Sequence, residues 1–355
     1  MIRITKRPGL SKKREFMMRW GGVFGALVAA ALVMALLGYN PLEVYGNLIG
    51  GSLGSAYRLK ATLNKAIPLV VLSLGVAVAF KMKFWNIGAE GQMALGGFGA
   101  AFVALRYGDL PPYLLLPLMF VIGVLCGGLW GLIPALLRVK LGTNETLVTL
   151  MLNYIALQFL SYLQYGPWRE DGGFPKVKDF SESAVLPSVF GVHIGWVIAL
   201  ILTAVVYIMF HRSKWGYEIA VLGESEATAR YAGINVTRLT LLTLLLSGGL
   251  CGLAGMMQTS AVEKTLTEQF TGGLGFTSII TAWLARLSPI GILVSSFSFA
   301  MLIQGGSFLE TSMNISSKMA DVLQGVIIFF VLGCEFFIQY RVSLRKRGTG
   351  KGAAA

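Results

Sequence analysis

The sequence predicts an all-α polytopic membrane protein of about ten transmembrane helices in inverted four-helix repeats, with the N- and C-termini cytoplasmic. Three observations predict it. Hydrophobic residues fill 55% of the 355 positions and charged residues only 13%, with a mean hydropathy of +0.69. Apolar runs approaching the ~20 residues of a helical span recur along the chain. The net charge of +13 sits beside those runs and is not spread over a folded surface.

Each segment has its own reason. Residues 1–19 form a basic tail, and a second one covers 341–355. Residues 1–20 hold seven Lys/Arg against one Glu, and 341–355 hold five with no acid. This is the pattern of a positive-inside protein touching anionic membrane lipids, not of a nucleic-acid surface. The run at 20–39 lacks a small-x-small cleavage site after Leu37 and is expected to be an uncleaved first span. Further runs lie near 64–80, 86–105, 113–137, 144–165, 194–210, 239–257, 276–288, 290–305 and 322–340, within a membrane domain of residues 20–340. With the N-terminus inside, inner segments hold 21 of the 30 Lys/Arg, whereas outer segments hold nine together with ten of the seventeen acids. One predicted outer loop, 40–63, runs against this bias with Arg58 and Lys60, followed by Lys65. The eighth and ninth runs are short and separated only by Ser288-Pro289, which allows a re-entrant or broken pair.

Spans two to five begin outside and spans seven to ten begin inside, as an inverted-topology repeat requires. Each block contains a glycine-rich helix start, at Asn86–Gly99 and at Gly272–Gly275. The largest outer loop, 166–193, is expected to be a docking element, a lid or a connector.

Polar residues at membrane depth mark the candidate pathway. Asn86, Glu90 and Gln92 stand at the mouth of the third span. An acid at a helix centre costs about 2.5–3.5 kcal/mol on insertion scales, so Glu90 should face the bundle interior, a water-filled path or a helix end. Gly96, Gly97, Gly99, Ala100 and Ala101 then form a small-residue face for close packing. In the fifth span Glu145, Thr149 and Asn153 recur every four residues, and Gln164 returns to their face. Two readings stay open for these groups: contact with a solute, or bracing of the helices around it.

Between the spans at 194–210 and 239–257 lies a soluble-looking patch, Trp215 to Val236, inside a loop of residues 211–238. Glu226 and Arg230 are four apart with the acid first, the favourable helical order. Gly223 precedes this short helix and Gly233 follows where a helix stop belongs. Such a helix on the aqueous side suits a partner, although a plain connector would look similar. Soluble chemistry has no home in the chain. His193 and His211 fall at opposite membrane faces, the three cysteines lie in apolar runs, and no Gly-x-x-x-x-Gly-Lys-[Ser/Thr] loop occurs. No metal site, catalytic residue or cofactor is expected, and any ATP must be bound by another subunit.

NIGAEGQMALGGFGA (86–100), NETLVTLMLNYIA (144–156) and GESEATARYAGINV (223–236) resemble three signatures of permease subunits of ABC importers, in the ribose and nucleoside branch. The second resembles bacterial nucleoside permeases most, and the likeness spans roughly 64–340. It implies a multi-pass protein of the bacterial cytoplasmic membrane that imports a nucleoside or related simple sugar. It also implies three partners: a cytosolic ABC ATPase, a second and paralogous permease, and an extracytoplasmic substrate-binding lipoprotein. The substrate pathway would involve Asn86, Glu90, Glu145, Thr149 and Asn153. The ATPase would receive a coupling loop through Gly223, Glu224, Ala229, Arg230 and Gly233. The chain departs from the family at Ser225, Glu226, Ala227 and Thr228, and again at Trp283. The rival reading from another class is an ion-coupled secondary transporter with Glu90 or Glu145 as its ion site.

Overall fold

The structure is a computed structural model that describes residues 2–6, 12–170, 172, 175–313, 322, 325–326, 329–330, 333–334 and 340–344. In chain order the elements are β1 (Ile2–Lys6), α1 (Lys12–Leu36), α2 (Pro41–Leu53), α3 (Ala56–Lys81), α4 (Ala89–Arg106), α5 (Pro112–Leu141) and α6 (Glu145–Tyr165). They continue with β2 (Ser188–Val189), β3 (Val192–His193), α7 (Gly195–Arg212), α8 (Lys214–Glu224), α9 (Glu226–Tyr231), α10 (Val236–Met257), α11 (Leu274–Leu284), α12 (Pro289–Met313) and β4 (Tyr340–Leu344). Among the described residues six helices are long and apolar enough to cross a membrane. A seventh span results if Phe24–Leu36 and Pro41–Leu53, bent by 117° between them, count as one. The tenth expected span, 322–340, lies largely outside the described residues.

Two expectations about boundaries are corrected. The segment 40–63 is no loop: it holds α2, and Ser55 caps α3 by accepting the Arg58 N–H at 3.2 Å, so that α3 starts at Ala56. Apolar patterning missed this because Tyr57, Arg58 and Lys60 occupy the first turns of α3. The soluble patch is two helices and not one. Ser225 ends α8 in extended conformation and caps α9 by accepting the Thr228 N–H at 3.2 Å.

The chain divides into two compact units, Met1–Gly51 with Gly305–Ala355, and Ser52–Gln304. In the first, β1 pairs antiparallel with β4, from Ile2 opposite Leu344 to Lys6 opposite Tyr340. Ala30, Met34, Val44 and Leu309 form its small core.

The second unit is built around α10. Its Ser247-Gly248-Gly249 and Gly252 carry no bulk, so the backbones of α4, α5 and α10 come into contact. A methyl group placed on Gly96 of α4 would collide with the backbone of Gly252, and one on Gly127 of α5 with Gly248 and Gly252. Gly255 lies equally close to the Met93 carbonyl. Of the small-residue face read from the sequence at 96–101, Gly96 makes this backbone contact, while Gly97 is covered by the Phe270 ring and Gly99 by the Cys126 side chain. Beyond Met257 the helix widens into a π-helical turn, Gln258–Glu263.

Loop 166–193 is tied down onto that turn and onto α4. The Ser260 hydroxyl donates to the Ala184 carbonyl, Thr265 Oγ1 donates to Val177 O at 3.0 Å, and Trp168 stacks on Phe98 with centroids 5.4 Å apart. Its last residues form the β2–β3 hairpin, where His193 is buried. The His193 backbone N–H donates to Asn64 Oδ1 at 3.2 Å, and burial pushes its imidazole below the usual histidine range.

Two outcomes are expected. Gly252→Val should destabilise the protein by about 1–3 kcal/mol or more, because two backbones must part to admit the side chain; a thermal-shift series in detergent reads this as a lower midpoint. The neutral His193 imidazole contributes stability that is complete above its unfolded pKa of about 6.5 and is lost as pH falls below it. The midpoint should therefore drop between pH 7.5 and pH 5.5, and drop less in His193→Gln.

Candidate translocation core and coupling segment

Where a helix stops inside a packed protein, its free amide groups are cut off from water, and polar side chains must satisfy them. The chain breaks between α3 and α4, at residues 82–88, where Lys83 takes a left-handed φ of 58°. The predicted polar residues close this break. Gly88 N–H donates to Asn86 Oδ1 at 3.0 Å, Ile87 N–H to Thr149 Oγ1 at 3.2 Å, and Gly91 N–H to Asn153 Oδ1 at 2.8 Å. Asn153 Nδ2 donates back to the Ile87 carbonyl at 2.8 Å. The Asn86 and Gln92 amides pair reciprocally at 3.1 Å each way. Asn86 Nδ2 also reaches Ser247 Oγ at 3.2 Å, and Ser247 donates to the Gly75 carbonyl at 2.7 Å. Four helices, α3, α4, α6 and α10, thus share one buried polar cluster.

Glu90 serves a second helix start. Only 2% exposed, its carboxylate accepts Gly273 N–H at Oε1 (3.0 Å) and Gly275 N–H at Oε2 (2.6 Å). These amides open α11, where the free N–H groups and the helix dipole favour an anion. Gly275 has to be glycine here, since a Cβ would strike the Glu90 backbone. The structure therefore brings Asn86, Glu90, Thr149 and Asn153 together. It leaves Glu145 apart. Its carboxylate turns to Arg138 at 3.5 Å on the rim of a different cavity, while Thr149 Oγ1 donates to its backbone carbonyl. Sequence reasoning missed Ser247 and the hydroxyl contacts of Ser73 with Thr281 and with Ser296, which join α3 to α11 and α12. The only sequence signal for Ser247 was a hydroxyl beside two glycines in an apolar run.

The segment 211–238, a candidate coupling loop, is built from caps. Ser213 opens α8 by accepting Gly216 N–H at 2.9 Å, and Gly233, at φ 76°, follows α9 in the left-handed conformation that ends helices. The expected Glu226–Arg230 pair forms, with Arg230 Nη2 2.7 Å from Glu226 Oε1. Ala229 is buried, whereas Tyr231 is 96% exposed at the surface. Gly223 rests directly on the Lys81 carbonyl, and Glu224 lies 3.7 Å from Lys83. A cavity of about 490 Å³ separates this segment from the helix ends, lined by Lys83, Arg138, Glu145, Glu224, Glu226 and Arg230 among others. The segment thus bears on residues 81–88, the same stretch that holds Asn86.

A set of helices long and apolar enough to cross a membrane, with a buried polar cluster where α3, α4, α6 and α10 meet, is the build of a multi-pass membrane protein. The chain belongs to the family described as branched-chain amino acid transport system / permease component, whose model matches residues 58–332. It is 32% identical to a glucose ABC transporter permease protein of Haloferax volcanii, over 94% of this chain and 91% of that one. A nucleoside ABC transporter permease protein of Lactococcus lactis is 33% identical, over 89% of this chain and 90% of its own length. For a guanosine ABC transporter permease protein of Bacillus subtilis the identity is 30%, over 91% and 94%. Each of these organisms has a second matching permease protein, 25–26% identical to this chain. The resemblance drawn from the three motifs is borne out: the protein is a permease subunit of an ABC importer. The family it belongs to is described as a transport component.

Glu90→Gln keeps the shape of the side chain but replaces one acceptor oxygen with an amide that cannot accept. Loss of a charged hydrogen bond and an amide left unpaired should cost about 1–3 kcal/mol. A thermal-shift measurement in detergent should show the lower midpoint, and Glu90→Ala a larger drop.

Proposed function

We propose that this permease carries a nucleoside or related simple sugar across the membrane, driven by ATP hydrolysed in a separate cytosolic ABC ATPase. The observation that carries the reading is near full-length similarity to permeases named for glucose, nucleosides and guanosine. Its partners are that ATPase, a second paralogous permease and an extracytoplasmic substrate-binding lipoprotein. The second matching permease in each relative's organism supports the paralogous pair.

Residues 20–340 act as the permease domain, ten spans in two inverted blocks, with the basic tails 1–19 and 341–355 cytoplasmic. Pairing of β1 with β4 supports a common side for the two tails. The loop 211–238 couples to the ATPase through Gly223, Glu224, Ala229, Arg230 and Gly233. Motion received there passes to residues 81–88 through the contact of Gly223 with Lys81. Asn86, Glu90, Thr149 and Asn153 then act by holding the helix starts that line the pathway, because their polar atoms already bond the backbone at those starts. Glu145, paired with Arg138, instead lines the cavity beside the loop 211–238.

The test is uptake by vesicles holding both permeases, the ATPase and the loaded binding protein. Arg230→Glu should cut ATP-driven uptake at least about tenfold while ATP hydrolysis persists, a penalty of about 1.4 kcal/mol or more on the coupled step. Uptake that follows an ion gradient without the ATPase would overturn the reading. In the same vesicles Lys83→Glu should impair coupling, and the double exchange Lys83→Glu with Glu224→Lys should recover part of it.

A further inference from the structure

The end of α3 opposite the coupling segment carries a second site. A groove of about 370 Å³ runs along α3 between α7, the β2–β3 hairpin and α12, and every residue lining it is apolar. Its floor is one stripe of α3, Leu63, Ile67 and Val70. At the head of that stripe, one turn before Leu63, stands Lys60.

Lys60 is exposed, and among the described residues no carboxylate pairs with it. It is held beside the hairpin turn: a Cβ built on Gly191 would lie 2.8 Å from its Nζ. Gly191 has φ 81° and Phe190 φ 57°, so the turn is left-handed at both residues and brings the chain close over the lysine stem. Trp196, partly exposed, lines the groove from α7, as an aromatic residue of the membrane interface does.

We infer that this groove binds one anionic phospholipid of the leaflet opposite α8 and α9, with an acyl chain along the stripe and its phosphate at Lys60. The lengths agree. From Lys60 to Val70 the helix rises about 15 Å, which is half of a hydrocarbon core about 30 Å thick. An all-apolar floor excludes a polar solute, and the single cation at its head selects a negative headgroup. A second permease subunit covering the groove is the competing occupant. It would leave the unpaired ammonium without a function.

The full-length protein, purified in detergent, can be titrated with phosphatidylglycerol or phosphatidylcholine while bound lipids are counted by native mass spectrometry. Wild type should prefer phosphatidylglycerol, and Lys60→Gln should reduce that preference about fivefold, the effect of one basic residue at a membrane surface. Leu200→Trp fills the groove from an exposed position and should remove one bound lipid of either kind. The inference is overturned by equal binding of the two lipids to wild type, by an unchanged preference in Lys60→Gln, or by full lipid occupancy in Leu200→Trp. Cross-linking of Leu200→Cys to a partner permease in the native membrane would overturn it as well.

Discussion

Where packing excludes water, an amide without a partner costs about 1–3 kcal/mol, so a buried stretch of chain can leave the helix only where side chains replace that water. The break at residues 82–88 is that event here, and the surrounding arrangement follows from it. Asn86 and Asn153 supply both an acceptor and a donor, Thr149 supplies an acceptor, and Gln92 completes the amide pair. Each side chain comes from a different helix or a different turn, so satisfying the break also fixes how α3, α4, α6 and α10 sit together. Glu90 extends the same logic to α11, whose start would otherwise leave its amides bare.

The segment 211–238 illustrates which contacts hold firm and which do not. Its ion pairs are exposed, and such pairs contribute about 0–1 kcal/mol in water. The contact of Gly223 with the Lys81 carbonyl is different, because neither side has a flexible end that can yield. Displacement of α8 is therefore felt first by the backbone of residues 81–82, and the Lys83–Glu224 pair sets direction more than strength.

What could be read in advance was whatever repeats at short range. The apolar runs, the Glu226–Arg230 pair and Gly96 of the small-residue face are local patterns, and the structure uses each of them. The polar cluster was visible as residues that do not belong in hydrocarbon. Their partners were not. Gly273 and Gly275 stand more than 180 positions from Glu90, and a backbone amide leaves no mark on a sequence. Glu145 shares a four-residue period with Thr149 and Asn153, yet its longer side chain reaches Arg138 from the helix end. Helix α2 and the early start of α3 escaped because charged residues interrupt the apolar pattern just where the structure continues. Ser225 divides α8 from α9 through a cap that looks, in sequence, like one more polar residue.

The glycine crossing of α4, α5 and α10 has a mechanical consequence. Side chains between helices act as bearings: they change rotamer, slide and let axes shift. Where Gly96, Gly127, Gly248 and Gly252 meet there are no such bearings, and any rolling of one helix drives main chain into main chain. The three helices must then travel as a single piece, a keel about which other segments swing. Relative movement therefore has to be found at the edges of that keel, in segments such as α7; α11 is not one of them, because Gly275 sets its main chain against that of Glu90.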